Sequence, residues 1–186
     1  MIQGEIIESI AGHIENEMLI TIERTQADEN KITGFPLVLS DSLVVMSKIV
    51  DFHDEGFVVI RLEDITDTDS KESSVFYEDI CINEGLQKRA YENPIDDVTD
   101  FASVLRQLCT YDKFVGVQCE YEDSELFYSL GHVLGVDEGI VHFKNFDTMG
   151  VWQDETRKIP LDKVTLVAIE DHYSKMFYKY VKPLQV

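Results

Sequence analysis

Apolar residues change period several times along this chain, and the changes divide it into elements. Ile6, Ile10 and Ile14, with Ile7 and Ala11 beside them, recur at i, i+4, i+8 and predict a short amphipathic helix over residues 6–14. The next apolar runs are short, rich in β-branched residues and bounded by polar ones, as strands are. They cover residues 18–22, 35–39, 43–50 and 57–62, with a polar tip over 25–31 and a turn at Ser40-Asp41-Ser42. Residues 64–74 read as a polar connection that does not require a further strand at Ile65-Thr66. Residues 75–90 hold a strand and a helix, or one irregular helix weakened at Gly85. Asn93-Pro94 then breaks the chain, because Pro pushes the preceding residue out of the α region.

The plan then begins again. Val98, Phe101, Leu105 and Leu108 share one face of a helix over 96–109, with Asp96, Asp97 and Asp100 near its start, where carboxylates complement the dipole. Strands follow over 114–119, 126–134, 140–146 and 164–169, with a charged tip over 120–125, a turn over 149–155, and Pro160 suited to a strand start or edge. Tyr173, Met176, Phe177 and Tyr180 lie on one face of a closing helix over 171–181. Two runs resemble each other, residues 54–64 and 137–147, which open Asp54-Glu55-Gly56-Phe57-Val58-Val59-Ile60 and Asp137-Glu138-Gly139-Ile140-Val141-His142-Phe143. Each reads as a tight turn whose Gly is free to take φ > 0, feeding a strand. The two runs are therefore expected to be equivalent units of an internal duplication, with Phe57, Val59, Ile140 and Phe143 in the core. The expected fold class is α+β, mainly β: two tandem helix-plus-small-β-barrel modules, residues 1–93 and 94–186, the second ending in a C-terminal helix.

A short helix followed by about five short, strongly bent antiparallel strands resembles the Sm-like and SH3-like small barrels, and residues 96–170 resemble them better than the first copy does. The segment Trp152-Gln153-Asp154-Glu155-Thr156-Arg157-Lys158-Ile159-Pro160-Leu161-Asp162-Lys163-Val164-Thr165-Leu166-Val167 is similar to the closing hairpin of many bacterial small-barrel domains. The resemblance implies binding through strand edges and loops. Neither copy carries the glycine-centred motifs with which RNA-binding Sm proteins hold bases, so those contacts are not carried over.

Charge narrows the partners. The formal net charge is −20, divided as −13 over residues 1–95 and −7 over residues 96–186, which opposes association with a phosphate backbone. A hydrophobic fraction of 44% excludes wholesale disorder, and no apolar run reaches the roughly 18 residues that cross a bilayer. The opening Met1-Ile2-Gln3-Gly4-Glu5 lacks the basic and apolar regions of a secretory signal, so the expected location is cytoplasmic, away from membranes. Cys81, Cys109 and Cys119 form no CxxC pair and are expected to be free thiols.

The residues that carry chemistry are scattered. His13, His53, His132, His142 and His172 show no metal-ligand spacing, although His132 and His142 are placed to meet across neighbouring strands. Asp64, Asp67, Asp69 and Glu72 lack the glycine and final glutamate of a calcium loop and read as a solvated acidic loop. Neither a phosphate-cradling glycine loop nor a Gly-x-Ser-x-Gly element occurs. The expectation is no enzyme, no metal and no cofactor. Aromatic and basic residues interleave only at Tyr173, Lys175, Phe177, Tyr178, Lys179 and Lys182, the candidate partner surface. The sequence thus points to a non-enzymatic acidic scaffold or adaptor whose partner is a protein, with a basic one favoured by charge. The alternatives are an Sm-like RNA-binding protein using that helix and a hydrolase with an unrecognised site.

Overall fold

The structure, a computed structural model, describes residues 2–69, 72–121 and 128–184. In chain order its elements are α1 (Gln3–Glu15), β1 (Ile20–Arg24), β2 (Asp28–Leu39), β3 (Leu43–Val50), β4 (His53–Arg61), β5 (Asp67–Asp69), α2 (Glu72–Asn83), α3 (Phe101–Gln107), β6 (Val115–Gln118), β7 (Tyr128–Asp137), β8 (Ile140–Asn145), β9 (Arg157–Pro160), β10 (Leu166–Ile169) and α4 (His172–Tyr180). The class is α+β, mainly β. All ten strands belong to one antiparallel sheet in the order β5-β1-β2-β3-β4-β10-β6-β7-β8-β9, whose two ends do not join. Among the described residues no helix is long and apolar enough to cross a membrane. The charged tip expected over 120–125 falls mostly outside the described residues.

The strand order repeats: β5-β1-β2-β3-β4 in the first half recurs as β10-β6-β7-β8-β9 in the second. Local geometry repeats with it. Gly34 pairs with Ile20 and Lys48, and Gly131 with Val115 and Asn145. A Cβ at either glycine would fall 2.0 Å from the carbonyl oxygen of Ser47 or Lys144 on the neighbouring strand, so only Gly admits this close crossing. Two residues beyond each glycine the register slips, between Pro36 and Val38 and between Val133 and Gly135, which bends both strands alike. Each fourth strand runs into a one-turn 3-10 helix, Leu62–Asp64 or Leu161–Lys163, and then into a threonine that repeats one set of bonds. Thr66 N donates to Glu23 O at 2.9 Å, and Thr165 N to Gln118 O at 3.0 Å. The hydroxyls of both accept a backbone N–H, from Thr25 and Glu120, at 3.3 Å.

The halves meet where β4 pairs with β10, Phe57 to Ile60 against Ile169 to Leu166. Gly56, with φ +70, lets the chain pass so close that a Cβ there would lie 2.3 Å from Ile169 O. β3, β4 and β10 are covered on both faces, which explains their unbroken apolar runs. On one face Val45, Phe57, Val59 and Val167 pack with Phe101, Val104, Leu105 and Leu108 of the α3 region. On the other, Val44, Met46, Val58, Ile60 and Leu166 pack with Ile6 and Ile10 of α1.

Several expectations are corrected. Asp54-Glu55-Gly56 lies within β4, and the preceding tight turn is Asp51-Phe52, both with positive φ. The turn at Glu138-Gly139 instead joins the second and third strands of its half, so the two Asp-Glu-Gly runs are not equivalent. Phe57, Val59 and Phe143 are buried as expected, but Ile140 is only half-buried, because the inward positions of β8 are Val141, Phe143 and Asn145. The stretch read as a solvated loop contains β5, and Asp64 is buried. The helix expected from residue 96 starts at Phe101: Gln107 Oε1 holds the Asp96 and Asp97 N–H groups, while the Asp100 carboxylate caps Ser103 N at 2.7 Å. Residues 75–83 are helical throughout, within α2.

Candidate partner-binding groove

The joint leaves a groove of about 530 Å³ between the N-terminal ends of α1 and α3. Its apolar wall comes from Ile7 of α1, Leu43 of β3, Leu62 and Leu161 of the two 3-10 turns, and Phe101 of α3. Asp41, Glu63, Asp100 and Asp162 supply carboxylates around it. Arg61 crosses the groove, donating from Nη2 to Leu161 O at 3.1 Å and Val164 O at 2.9 Å, and from Nη1 to Glu63 at 3.1 Å. Its guanidinium carbon sits 5.3 Å from the centre of the Phe101 ring. Arg61 therefore ties the halves together, and with Glu63 engaged by Arg61 and Asp100 by the α3 cap, Asp41 and Asp162 are the carboxylates left to give the groove its negative character.

A buried polar cluster lies close by. Arg24 closes β1, and its guanidinium forms a bidentate pair with Glu120 at 2.8 and 3.2 Å. Both side chains are almost fully buried, at 1% and 2% exposure. Thr165 Oγ1 donates to Glu120 Oε2 at 2.5 Å. Tyr121 donates to Asp64 Oδ1 at 2.6 Å, while Asp64 Oδ2 has no partner among the described residues. Burial raises the Asp64 pKa above the ordinary value, against the Tyr121 hydrogen bond and the Arg61 and Arg24 charges. This cluster joins β1 of one half to the chain after β6 of the other.

The candidate surface on α4 is divided by the fold. Phe177 turns inward and stacks on Phe146 at 5.4 Å, and Tyr178 meets Phe114 edge-on at 5.2 Å. Lys175 lies 3.8 Å from the Asp54 carboxylate. Trp152 Nε1 donates to Lys182 O at 2.8 Å, which holds the end of the helix down. Tyr173, Tyr178 and Tyr180 keep exposed faces, and Lys179 and Lys182 project to solvent.

His132 and His142 do not meet. His132 is opposite Lys144, and His142 opposite Gly135. His132 stacks on Trp152 at 5.7 Å, and burial lowers its pKa. His142 pairs with Asp137 at 2.9 Å. Among the described residues, three or more His, Cys, Asp or Glu side chains nowhere converge as metal ligands. Cys81 is a buried free thiol and Cys109 a half-buried one, and Cys119 is buried. No protein-family model, curated protein or solved structure matches the chain.

Sequence reasoning missed Arg61, Arg24, Glu120 and the groove. One signal was present. Leu62-Glu63-Asp64-Ile65-Thr66 and Leu161-Asp162-Lys163-Val164-Thr165 repeat at 99 residues, and they mark the paired 3-10 turns that line the groove.

Proposed function

We propose that the chain is a non-enzymatic adaptor built from two tandem, partly open small-barrel modules of the Sm-like/SH3-like plan, residues 1–93 and 94–186, and that it holds a basic protein segment in the groove at their joint. The observation that carries this reading is the groove's make-up: an apolar wall of Leu43, Leu62, Phe101 and Leu161 beneath Asp41, Glu63, Asp100 and Asp162. Such a surface accepts a segment that buries aliphatic or aromatic groups and presents Lys or Arg to the rim. The net charge of −20 adds long-range attraction for that partner and repels nucleic acid. The setting is cytoplasmic on this reading.

The test compares the proteins captured from the source cell at low salt by the wild type and by an Asp41→Lys/Glu63→Lys/Asp162→Lys variant, with far-UV circular dichroism as the check on folding. Selective loss of a basic protein from the folded variant supports the reading; an unchanged set of captured proteins contradicts it. Titration with unrelated single-stranded RNAs near physiological salt decides the alternative. Affinity weaker than roughly 10⁻⁴ M is expected. Micromolar binding lost on replacing Lys175, Lys179 and Lys182 with Glu would move the function to the α4 surface.

A further inference from the structure

The two halves repeat the same strands but not the same inner wall. Met46 pairs with Val58 where Phe143 pairs with Arg157, and Val44 pairs with Ile60 where Val141 pairs with Ile159, so the ladders themselves align the halves. With Gly34 matched to Gly131, Ile32 corresponds to Ser129 and Lys48 to Asn145. Ile32, Met46 and Val58 belong to the core beneath α1. Their counterparts are Ser129, Phe143 and Arg157, so two apolar core positions of one half are polar in the other. Arg157 Nη1 donates to Ser129 Oγ at 3.0 Å. Exchanging core aliphatic groups for polar ones costs stability, and losses of this kind concentrate at functional sites.

These residues line a crevice of about 390 Å³ against α4, a volume suited to a small molecule. Phe146, Tyr173 and Phe177 give it an aromatic wall, and Asn145, Asp147 and Arg157 a polar one. Asp147 Oδ1 accepts the Met149 and Val151 N–H groups at 2.9 and 3.0 Å, which fixes the carboxylate. A guanidinium has several donors, so the Ser129 bond orients Arg157 without exhausting it. One cation, one anion and an aromatic wall in a single crevice match a zwitterion that carries an apolar group. We propose that the crevice binds a free amino acid with an aromatic or large aliphatic side chain, its carboxylate on Arg157, its ammonium on Asp147 and its side chain against Phe146, Tyr173 and Phe177. Charge favours this class over a simple anion. The chain carries −20, Asp154 and Glu155 stand just before Arg157, and the Asp171 charge reaches Tyr128 in the crevice wall, whereas a zwitterion brings no net charge into that field. The inference is independent of the groove at the joint.

Trp152 meets Phe146 edge-on at 5.2 Å, so its fluorescence reports occupancy of the crevice. The test titrates the full chain with L-phenylalanine, L-leucine, N-acetyl-L-phenylalanine and L-phenylalaninamide. Expected is a saturable change with half-saturation at about 1 mM or below for phenylalanine, and binding at least about tenfold weaker for the two derivatives, each of which lacks one charge. Arg157→Gln and Asp147→Asn each weaken phenylalanine by a similar factor, with far-UV circular dichroism as the check on folding. Asp147→Asn keeps the acceptor for Met149 and Val151 and removes only the charge, so it carries the test if Arg157→Gln does not fold. The absence of a saturable response to phenylalanine or leucine up to about 10 mM overturns the proposal. So does N-acetyl-L-phenylalanine binding as tightly as phenylalanine, which would make the ligand the C-terminus of a peptide, or phenylalanine binding that the folded variants leave unchanged.

Discussion

Replacing Glu120 with Gln keeps the side-chain shape and a hydrogen-bond acceptor for Thr165, but removes the charge that faces Arg24. With N···O at 2.8 Å and an effective dielectric of about 20, the Coulomb attraction of the pair is about 6 kcal/mol. Desolvating two ions whose side chains are 1% and 2% exposed offsets most of that gain, so the intact pair adds little net stability over an apolar one. Breaking it is different, because the Arg24 guanidinium then stays buried without its hydrogen-bonded counter-charge and with its Nε already lacking a partner among the described residues. The expected cost of Glu120→Gln is about 3–5 kcal/mol, a large part of the roughly 5–15 kcal/mol that holds a typical domain together. The double change Arg24→Met/Glu120→Leu removes both charges and is expected to lose at most about 1–2 kcal/mol, since well-packed apolar replacements of buried pairs are often neutral or stabilising. Urea unfolding followed by far-UV circular dichroism gives the midpoint and slope for wild type, single and double variants. The reasoning is refuted if Glu120→Gln unfolds within about 0.5 kcal/mol of wild type, the scale of an ordinary surface change, or if the double variant is the less stable of the two.

Gly34→Ala and Gly131→Ala should each destabilise by at least about 1–3 kcal/mol, because the added Cβ meets a neighbouring backbone carbonyl; thermal melts of the two variants check this, and unchanged midpoints would exclude the close crossing. His132 has its pKa lowered by burial, so its folded state favours the neutral ring; the stability it contributes is present above the ordinary histidine pKa and is lost as pH falls through the folded value. Acid titration followed by the fluorescence of Trp152, the only tryptophan and stacked on His132, should show that transition and lose it in His132→Gln. Asp64 has its pKa raised by burial, so its contribution is greatest below the unfolded carboxyl value and declines as pH rises through the folded one; Asp64→Asn should remove this dependence in urea midpoints measured across acidic pH.

Much of the sheet was legible because its strands carry periodic local signals. β3 matches the expected boundaries, and β8 and β10 were found to within two residues from their β-branched and aromatic runs. The internal repetition was legible in kind but sought at the wrong place. Asp-Glu-Gly looks like a turn wherever it occurs, yet the β3–β4 turn uses Asp51 and Phe52 at positive φ, while Gly56 serves a close approach to β10. The equivalent segments are marked by Leu, an acidic residue, Ile or Val, and Thr at 99 residues, a pattern too degenerate to stand out before the 3-10 turns are seen. The groove was hidden for a different reason. Ile7, Leu43, Arg61, Phe101 and Leu161 come from five separate segments, and only the pairing of β4 with β10 brings them together. The Arg24–Glu120 pair spans 96 residues, and in a chain with 36 acidic residues no spacing singles out Glu120. α4 was placed correctly, but which of its aromatics turn inward depends on Phe146 and Phe114, far away in sequence.

Both the groove and the tandem plan depend on β4 and β10 forming one uninterrupted ladder between two like halves. Native-state hydrogen–deuterium exchange, resolved to single amides by NMR, tests this directly. The amides of residues 57–60 and 166–169 that bond across the joint, buried on both faces, should exchange only through global unfolding, as slowly as the slowest amides of the β2–β3 and β7–β8 ladders. Fast exchange at residues 57–60 and 166–169, with β2–β3 and β7–β8 still protected, would mean that the halves are separate bodies and that the groove between them is not a fixed site.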